Sequence, residues 1–316
     1  MTRMVVTLLS LIATTLLAAP PPIQHDYADV NGVRLHYAQS GTGQLMLFVH
    51  GFPEFWYAWK NQLDEFGKDH HAVAPDMRGY NLSSKPEGVD AYRVPLLVDD
   101  IQALATKLGA SPARKFILVG HDWGGVAVWA YAMAHPDMLD KLVVVNAPHP
   151  AVFQRELQNN PAQQKASAYM LMFRGPDAEK TLSANSHEML VNIVLAPGLK
   201  QGYFTEADKT AYLDAWSQPG ALTGGLNYYR AAQVGPPSQT TASTNALPVA
   251  VAKINVPTLV IWGEQDTALL TGNLDGLDQL VTQLTIKRIA NGSHWVIHEQ
   301  PEVVNRSIRE FIARLR

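Results

Sequence analysis

Cysteine is absent from all 316 residues, which excludes disulfides, thiolate nucleophiles, Cys-ligated zinc and iron–sulfur clusters. Charge is sparse at 17% of residues, and 25 basic against 28 acidic side chains leave a formal net charge of −3. A chain with no basic excess is not a generic nucleic-acid binder, because neutralising phosphates requires one. Beyond the first nineteen residues there is no long hydrophobic run, so the body of the chain is expected to be soluble. Internal repeats and long low-complexity tracts are also missing. What remains is 47% hydrophobic, enough for a sizeable core and too apolar for intrinsic disorder. The length allows one large α/β domain with an insertion, or two modest domains. The chemistry must be done by oxygen and nitrogen side chains.

Residues 1–19 read as an export leader. Arg3 supplies the positive start, and Met4 to Ala19 is uncharged and mostly apolar before Pro20-Pro21-Pro22. A membrane span needs ~20 apolar residues, more than this segment has. The cleavage site is imperfect, because a leucine stands three residues before Ala18 or Ala19 and Pro20 obstructs cutting after Ala19; an uncleaved anchor is the competing reading. The mature protein is expected to be periplasmic or secreted, without stable membrane association. The lack of cysteine fits an exported chain that does not rely on oxidative folding.

Val30 to Ser40 alternates and suggests an early strand. Gln44 to Val49 is a short apolar run closed by His50-Gly51, the pattern of a buried strand. Phe55 to Phe66 has helical spacing, His71 to Pro75 is a strand stub, and Arg93 to Leu108 repeats at helical spacing until Gly109. Phe116 to Val119 and Leu142 to Val145 are further buried strands, with an almost wholly apolar helix, Trp123 to Ala134, between them. This alternation predicts a parallel sheet with helical crossovers over residues 25–148. Residues 149–248 carry helical patterns only, ending in a loop rich in turn-forming residues from Gly235 to Pro248. The alternation resumes over 249–316, with strands at Pro257–Trp262 and Leu284–Ala290 and a closing helix from Pro301 to Leu315. The layout is one α/β sheet interrupted by a helical insertion.

The sharpest local signal is Gly120-His121-Asp122-Trp123-Gly124-Gly125, between a buried strand and a buried helix. Such a tight turn forces its apex residue into strain and projects its side chain above the sheet at a helix N-terminus. Hydrolases usually carry a serine at that apex; here it is Asp122. A helix-capping aspartate would not by itself explain small residues at 120, 124 and 125. His50-Gly51-Phe52-Pro53 follows a strand whose loop, in this architecture, lends one backbone N–H to an oxyanion, the other coming from the residue after the nucleophile. The two donors are therefore expected at Phe52 and Trp123. Asp266 and His294 each lie just past a strand end, where open parallel sheets place their ligand crevice. Nucleophile, acid and histidine fall in the order 122, 266, 294. Glu264 is the fallback acid. The adjacent His70 and His71 make a poor chelate, and no metal or cofactor is expected.

With these motifs in place the chain resembles the α/β-hydrolases of the epoxide hydrolase and haloalkane dehalogenase group, from about residue 25 to the C-terminus. His50-Gly51-Phe52-Pro53-Glu54, Asp76-Met77-Arg78-Gly79-Tyr80 and the Asp122 elbow are written as that group writes them. The resemblance implies an α/β-hydrolase fold, a mostly parallel sheet flanked by helices, with an inserted helical cap. Within the cap, Leu226-Asn227-Tyr228-Tyr229-Arg230 is similar to the motif carrying a ring-opening tyrosine, which assigns that role to Tyr229. Ala168 to Pro176 resembles the segment carrying a second one, which points to Tyr169. The resemblance further implies a substrate-facing set of His50, Trp123, Tyr169 and Tyr229. Some exported members place a glutamate after the sixth strand; this chain has Asn146 there.

Aspartate suits attack on strained or activated sp³ carbon, giving an alkyl ester that water then hydrolyses. His294 would deprotonate that water while Asp266 orients the imidazole. Epoxides and halides are the two substrate classes left open. An epoxide oxygen needs acidic phenols, whereas a halide needs N–H donors; Trp123 is one, but Phe52 stands where many dehalogenases carry asparagine. The expected activity is epoxide hydrolysis on a small apolar substrate, with haloalkane or haloacetate dehalogenation as the alternative and a non-catalytic binding protein on the same fold a distant third. A homodimer is compatible with the sequence. Met170, Met172, Phe173, Trp216 and Tyr228 form an apolar stripe that fits cap core at least as well as a pocket.

Overall fold

The computed structural model describes residues 21–237 and 253–314. The proposed leader at 1–19 and most of the loop expected at 235–248 lie outside the described residues. The chain forms β1 (Gln24–Val30), β2 (Val33–Ser40), β3 (Leu45–Val49), α1 (Lys60–Phe66), β4 (His71–Pro75), α2 (Val94–Lys107), β5 (Phe116–His121), α3 (Trp123–Ala134) and β6 (Leu139–Val145). Seven helices follow: α4 (Pro150–Asn159), α5 (Pro161–Ala166), α6 (Tyr169–Arg174), α7 (Ala178–Leu190), α8 (Ala196–Gln201), α9 (Glu206–Trp216) and α10 (Ala221–Ala232). The sheet then resumes with β7 (Thr258–Gly263), α11 (Leu277–Leu280), β8 (Leu284–Ile289), α12 (Val296–Glu299) and α13 (Pro301–Ile312).

The eight strands form one sheet in the order β1-β2-β4-β3-β5-β6-β7-β8. All pairings from β4 onward are parallel, and β2 runs antiparallel to both its neighbours. The central strands read as unbroken apolar runs because both faces are covered. Leu47, Leu118 and Val144 face α2 and α3, while Phe48, Val119 and Val145 face α1 and α13. α3 is apolar nearly all round because it is buried from Trp123 to Ala132 apart from half-exposed Val126.

One expectation needs correction. The early strand is two strands, β1 and β2, paired Gln24 to Gln39 through Val30 to Val33. Asn31 and Gly32 both have positive φ, 49° and 76°, the two-residue turn that matches the twist of a hairpin. Asn-Gly stood in the sequence as that signal, inside a stretch read as continuous strand.

Helices α4–α10 form the expected insertion over the crevice at the C-terminal ends of the parallel strands. Arg230 of α10 binds Glu179 of α7 at 2.6 Å and ties the cap internally. α9 is tied to the core: Trp216 Nε1 donates to the Pro53 carbonyl at 2.6 Å, and Tyr57 O–H and the Lys60 ammonium both reach Asp208. Among the described residues no helix is long and apolar enough to cross a membrane.

Candidate active site

Asp122 caps the sharp β5–α3 turn with φ 50° and ψ −122°, a conformation that costs a non-glycine residue roughly 1–3 kcal/mol. The turn fits only because its neighbours are small. A Cβ on Gly124 would collide with the Val49 carbonyl, and one on Gly51 with the Asp122 side chain itself. The two carboxylate oxygens of Asp122 are thereby placed in different surroundings. Oδ1 accepts the Phe52 backbone N–H at 2.7 Å, while Oδ2 lies 3.6 Å from Nε2 of His294.

His294 follows β8, and its other nitrogen, Nδ1, donates to Asp266 Oδ2 at 2.7 Å. Asp266 is 4% exposed, so its charge is supported by hydrogen bonds. Oδ1 accepts the N–H groups of Ala268 and Leu269, each at 2.8 Å, and Oδ2 accepts Asn146 Nδ2 at 2.8 Å. Burial opposes ionisation of Asp266, yet His294 and these donors hold its carboxyl below the usual range. Burial likewise opposes a charge on His294, but Asp266 and Asp122 keep it well above an ordinary histidine. Asn146 also accepts the Gly263 N–H through Oδ1 at 2.8 Å, so it joins the ends of β6 and β7. The fallback acid, Glu264, is turned away in an ion pair with Arg288 at 3.0 Å.

The cap brings two phenols to the same place. α10 approaches the 76–84 loop closely at Gly224, and Tyr228 O–H donates to the Arg78 carbonyl at 2.9 Å. With Tyr228 so anchored, Tyr229 turns to the cavity and packs on Trp123 and Phe52, ring centroids 5.1 and 5.5 Å away. Tyr169 opens α6. It is located by Gln163 of α5, which donates to the Ala268 carbonyl and accepts the Leu270 N–H on the acid's own loop. Burial raises both hydroxyls well above the ordinary tyrosine range, and the Asp122 charge adds to this in each.

Asp122, Tyr169 and Tyr229 line two neighbouring spaces. The larger, about 240 Å³, extends past Phe173, Met189, Ile193 and Trp295 and includes His294. The smaller, about 30 Å³, lies among Trp123, Phe153, Met170 and Leu269. Both are walled mainly by apolar side chains, the usual character of a small-molecule site.

His50, expected to face substrate, lines neither space. It is 1% exposed, its Nε2 accepts the Met77 N–H at 3.0 Å, and Nδ1 pairs with the Gly51 carbonyl at 2.9 Å. It therefore ties the 50–54 turn to the 76–84 loop from below. Of the apolar stripe in the cap, Met170 and Phe173 reach the cavities, whereas Trp216 and Tyr228 are spent on cap–core packing. Sequence reasoning also passed over Asn146 as a partner for the acid, and over Glu54, His121 and His298, whose meeting depends on chain segments far apart.

The chain matches the alpha/beta hydrolase fold family over residues 44–301. It is 37% identical over 296 residues to an AB hydrolase superfamily protein of Bacillus subtilis, covering 92% of this chain and 98% of that one. Similarity to Epoxide hydrolase 4 of Mus musculus is 36% identity over 295 residues, 89% of this chain and 77% of the relative. Among solved structures, a Bacillus megaterium epoxide hydrolase in complex with an inhibitor superposes with a TM-score of 0.86 at 40% identity, covering 92% of this chain and all of that one.

Proposed function

Starting from the chain's membership of the α/β-hydrolase family, in its epoxide hydrolase group, we propose that it opens small apolar epoxides to vicinal diols through an ester on Asp122. Asp122 Oδ2 attacks a ring carbon, the C–O ring bond breaks, and the departing oxygen takes a proton from Tyr229 or Tyr169. Water then adds to Cγ of Asp122 while His294 Nε2 accepts its proton, and Asp266 steadies the imidazolium. The oxyanion forms at Oδ1, where the Phe52 N–H already points and the Trp123 N–H is the second donor. Collapse breaks the bond from Cγ to the alkyl oxygen. The diol oxygen leaves with the proton held by His294, and the remaining proton of the new carboxyl returns to the tyrosinate. Epoxide and water are consumed, diol is formed, and no cofactor enters the balance.

The observation that carries this reading is the division of labour within one carboxylate. Oδ1 is hydrogen-bonded at 2.7 Å to a backbone N–H, while Oδ2 is left to the histidine side. Phenols raised in pKa stay protonated until needed. Alkylation discharges Asp122, one of the charges that disfavours their ionisation, so their acidity rises as the ring opens. Halide displacement is less well served, since the Phe52 side chain packs on Tyr229 and Phe173 and offers a halide no donor.

A single turnover of styrene oxide in heavy-oxygen water tests the scheme. The expected result is label in the Asp122 carboxylate, read by peptide mass, and unlabelled diol. Label appearing directly in the diol would overturn the ester.

A further inference from the structure

A buried glutamate beneath the triad joins four parts of the chain. Glu54, 1% exposed, accepts the Tyr212 O–H at 2.7 Å and pairs with His298 Nε2 at 2.6 Å, both on Oε1. Its Oε2 faces Nδ1 of His121 at 3.3 Å. His121 Nε2 in turn meets the main-chain carbonyl of His294 at 2.8 Å. A carbonyl only accepts, so this nitrogen carries the hydrogen; a carboxylate only accepts, so His298 Nε2 carries one too. Burial opposes a charge on Glu54, but the two histidines hold its carboxyl well below the usual range. The segment carrying the catalytic histidine is thus held at two points: at the carbonyl of residue 294 through His121, and at residue 298 of α12 directly. The same oxygen of Glu54 holds Tyr212 of cap helix α9.

We propose that Glu54, His121 and His298 are positioning residues for ester hydrolysis, keeping the His294 imidazole over Asp122 once Asp122 has lost its charge. This rests on the covalent scheme above. Before alkylation, His294 is held from both sides, by Asp266 at 2.7 Å and Asp122 at 3.6 Å. The ester removes the second attraction. Side-chain orientation then depends on Asp266 and on the backbone at 294, which His121 holds. The first step makes no such demand, because Asp122 attacks without a proton transfer to His294.

Rapid-quench kinetics with styrene oxide, with the ester followed by intact mass, separate the two steps. His298→Leu is expected to slow ester hydrolysis roughly 10- to 100-fold, the cost of a small misplacement from outside the reacting atoms, with alkylation nearly unchanged. Ester should accumulate, and kcat and KM should fall together. His298→Gln, which keeps a donor toward Glu54, should recover most of the hydrolysis rate. Glu54→Leu, which removes the acceptor shared by His298 and Tyr212, should behave like His298→Leu. Equal losses in both steps, or unaltered hydrolysis in folded His298→Leu, would overturn the positioning role. His294→Gln is the reference that must trap ester. If it consumes epoxide without an adduct, the covalent scheme fails, not merely the role of these residues.

Discussion

Asp122 combines backbone strain with two differently placed oxygens and shares its cavity with Tyr169 and Tyr229; under the proposed ester scheme these are the nucleophile and the acid that an epoxide demands at the same moment. Tyr229→Phe should slow alkylation by styrene oxide roughly 100-fold, the low end for losing a general acid because Tyr169 remains. Ester hydrolysis should be nearly unaffected, and Tyr169→Phe combined with Tyr229→Phe should stop ring opening. Rapid-quench intact mass of the ester during alkylation is the readout, and equal slowing of both steps would remove the phenols from the acid role. At this scale, the candidates Asp122, Asp266 and His294, which the fold brings together, were legible as positions because each follows a strand end in the order expected of this architecture. The direction of the His50 side chain was not, since it is set by the Met77 N–H on a different loop. Nor was the meeting of Glu54 with His298, which lie 244 residues apart.

The core strands were legible as elements because burial on both faces writes a continuous apolar run. The cap helices were legible only as a region. α7 contains three consecutive left-handed residues, Asn185, Ser186 and His187, and is followed by a π-turn at Val191–Leu195. Local composition carries no signature of either, and Met189 and Ile193 from this stretch border the larger cavity. α9 is the clearest case of an element doing two jobs. Thr205 and Asp208 form a reciprocal N-terminal capping box, and the same Asp208 takes Lys60 and Tyr57 from the core. Burial opposes its charge, but the hydrogen bonds from Lys60 and Thr205 bring its pKa down to about 2. A depressed carboxyl contributes stability that is complete above its unfolded pKa, near 3.9, and is lost as pH falls through the folded value. Asp208→Ala should therefore cost about 1–2 kcal/mol at pH 7, the range for a lost helix cap. The cost should shrink as pH falls from 4 toward 2. Urea denaturation at several pH values measures it, and a pH-independent cost would show that the ionised form does not matter.

For the whole molecule, the cap is bonded to the turn that supplies the Phe52 donor, through Trp216 to Pro53 and Tyr212 to Glu54. The position of the cap and the geometry at Asp122 are thus set together. We propose that residues 1–19 are an export leader. Expression in a bacterial host should then yield a periplasmic protein whose intact mass lacks roughly the first 19 residues. Full-length protein confined to the cytoplasm would refute that reading.

The sequence by itself determined the alternation of strands and helices, the helical insertion, and the candidates at 122, 266 and 294, because each is carried by a contiguous pattern or by position after a strand. Tertiary structure alone decided which atoms meet: the split environment of the Asp122 oxygens, Asn146 on Asp266, His50 turned beneath the turn it begins, and Glu54 between His121, His298 and Tyr212. Those contacts join loops from different strand ends and the cap. The angles and short distances that make most of them hydrogen bonds arise only when the sheet has brought the loops together.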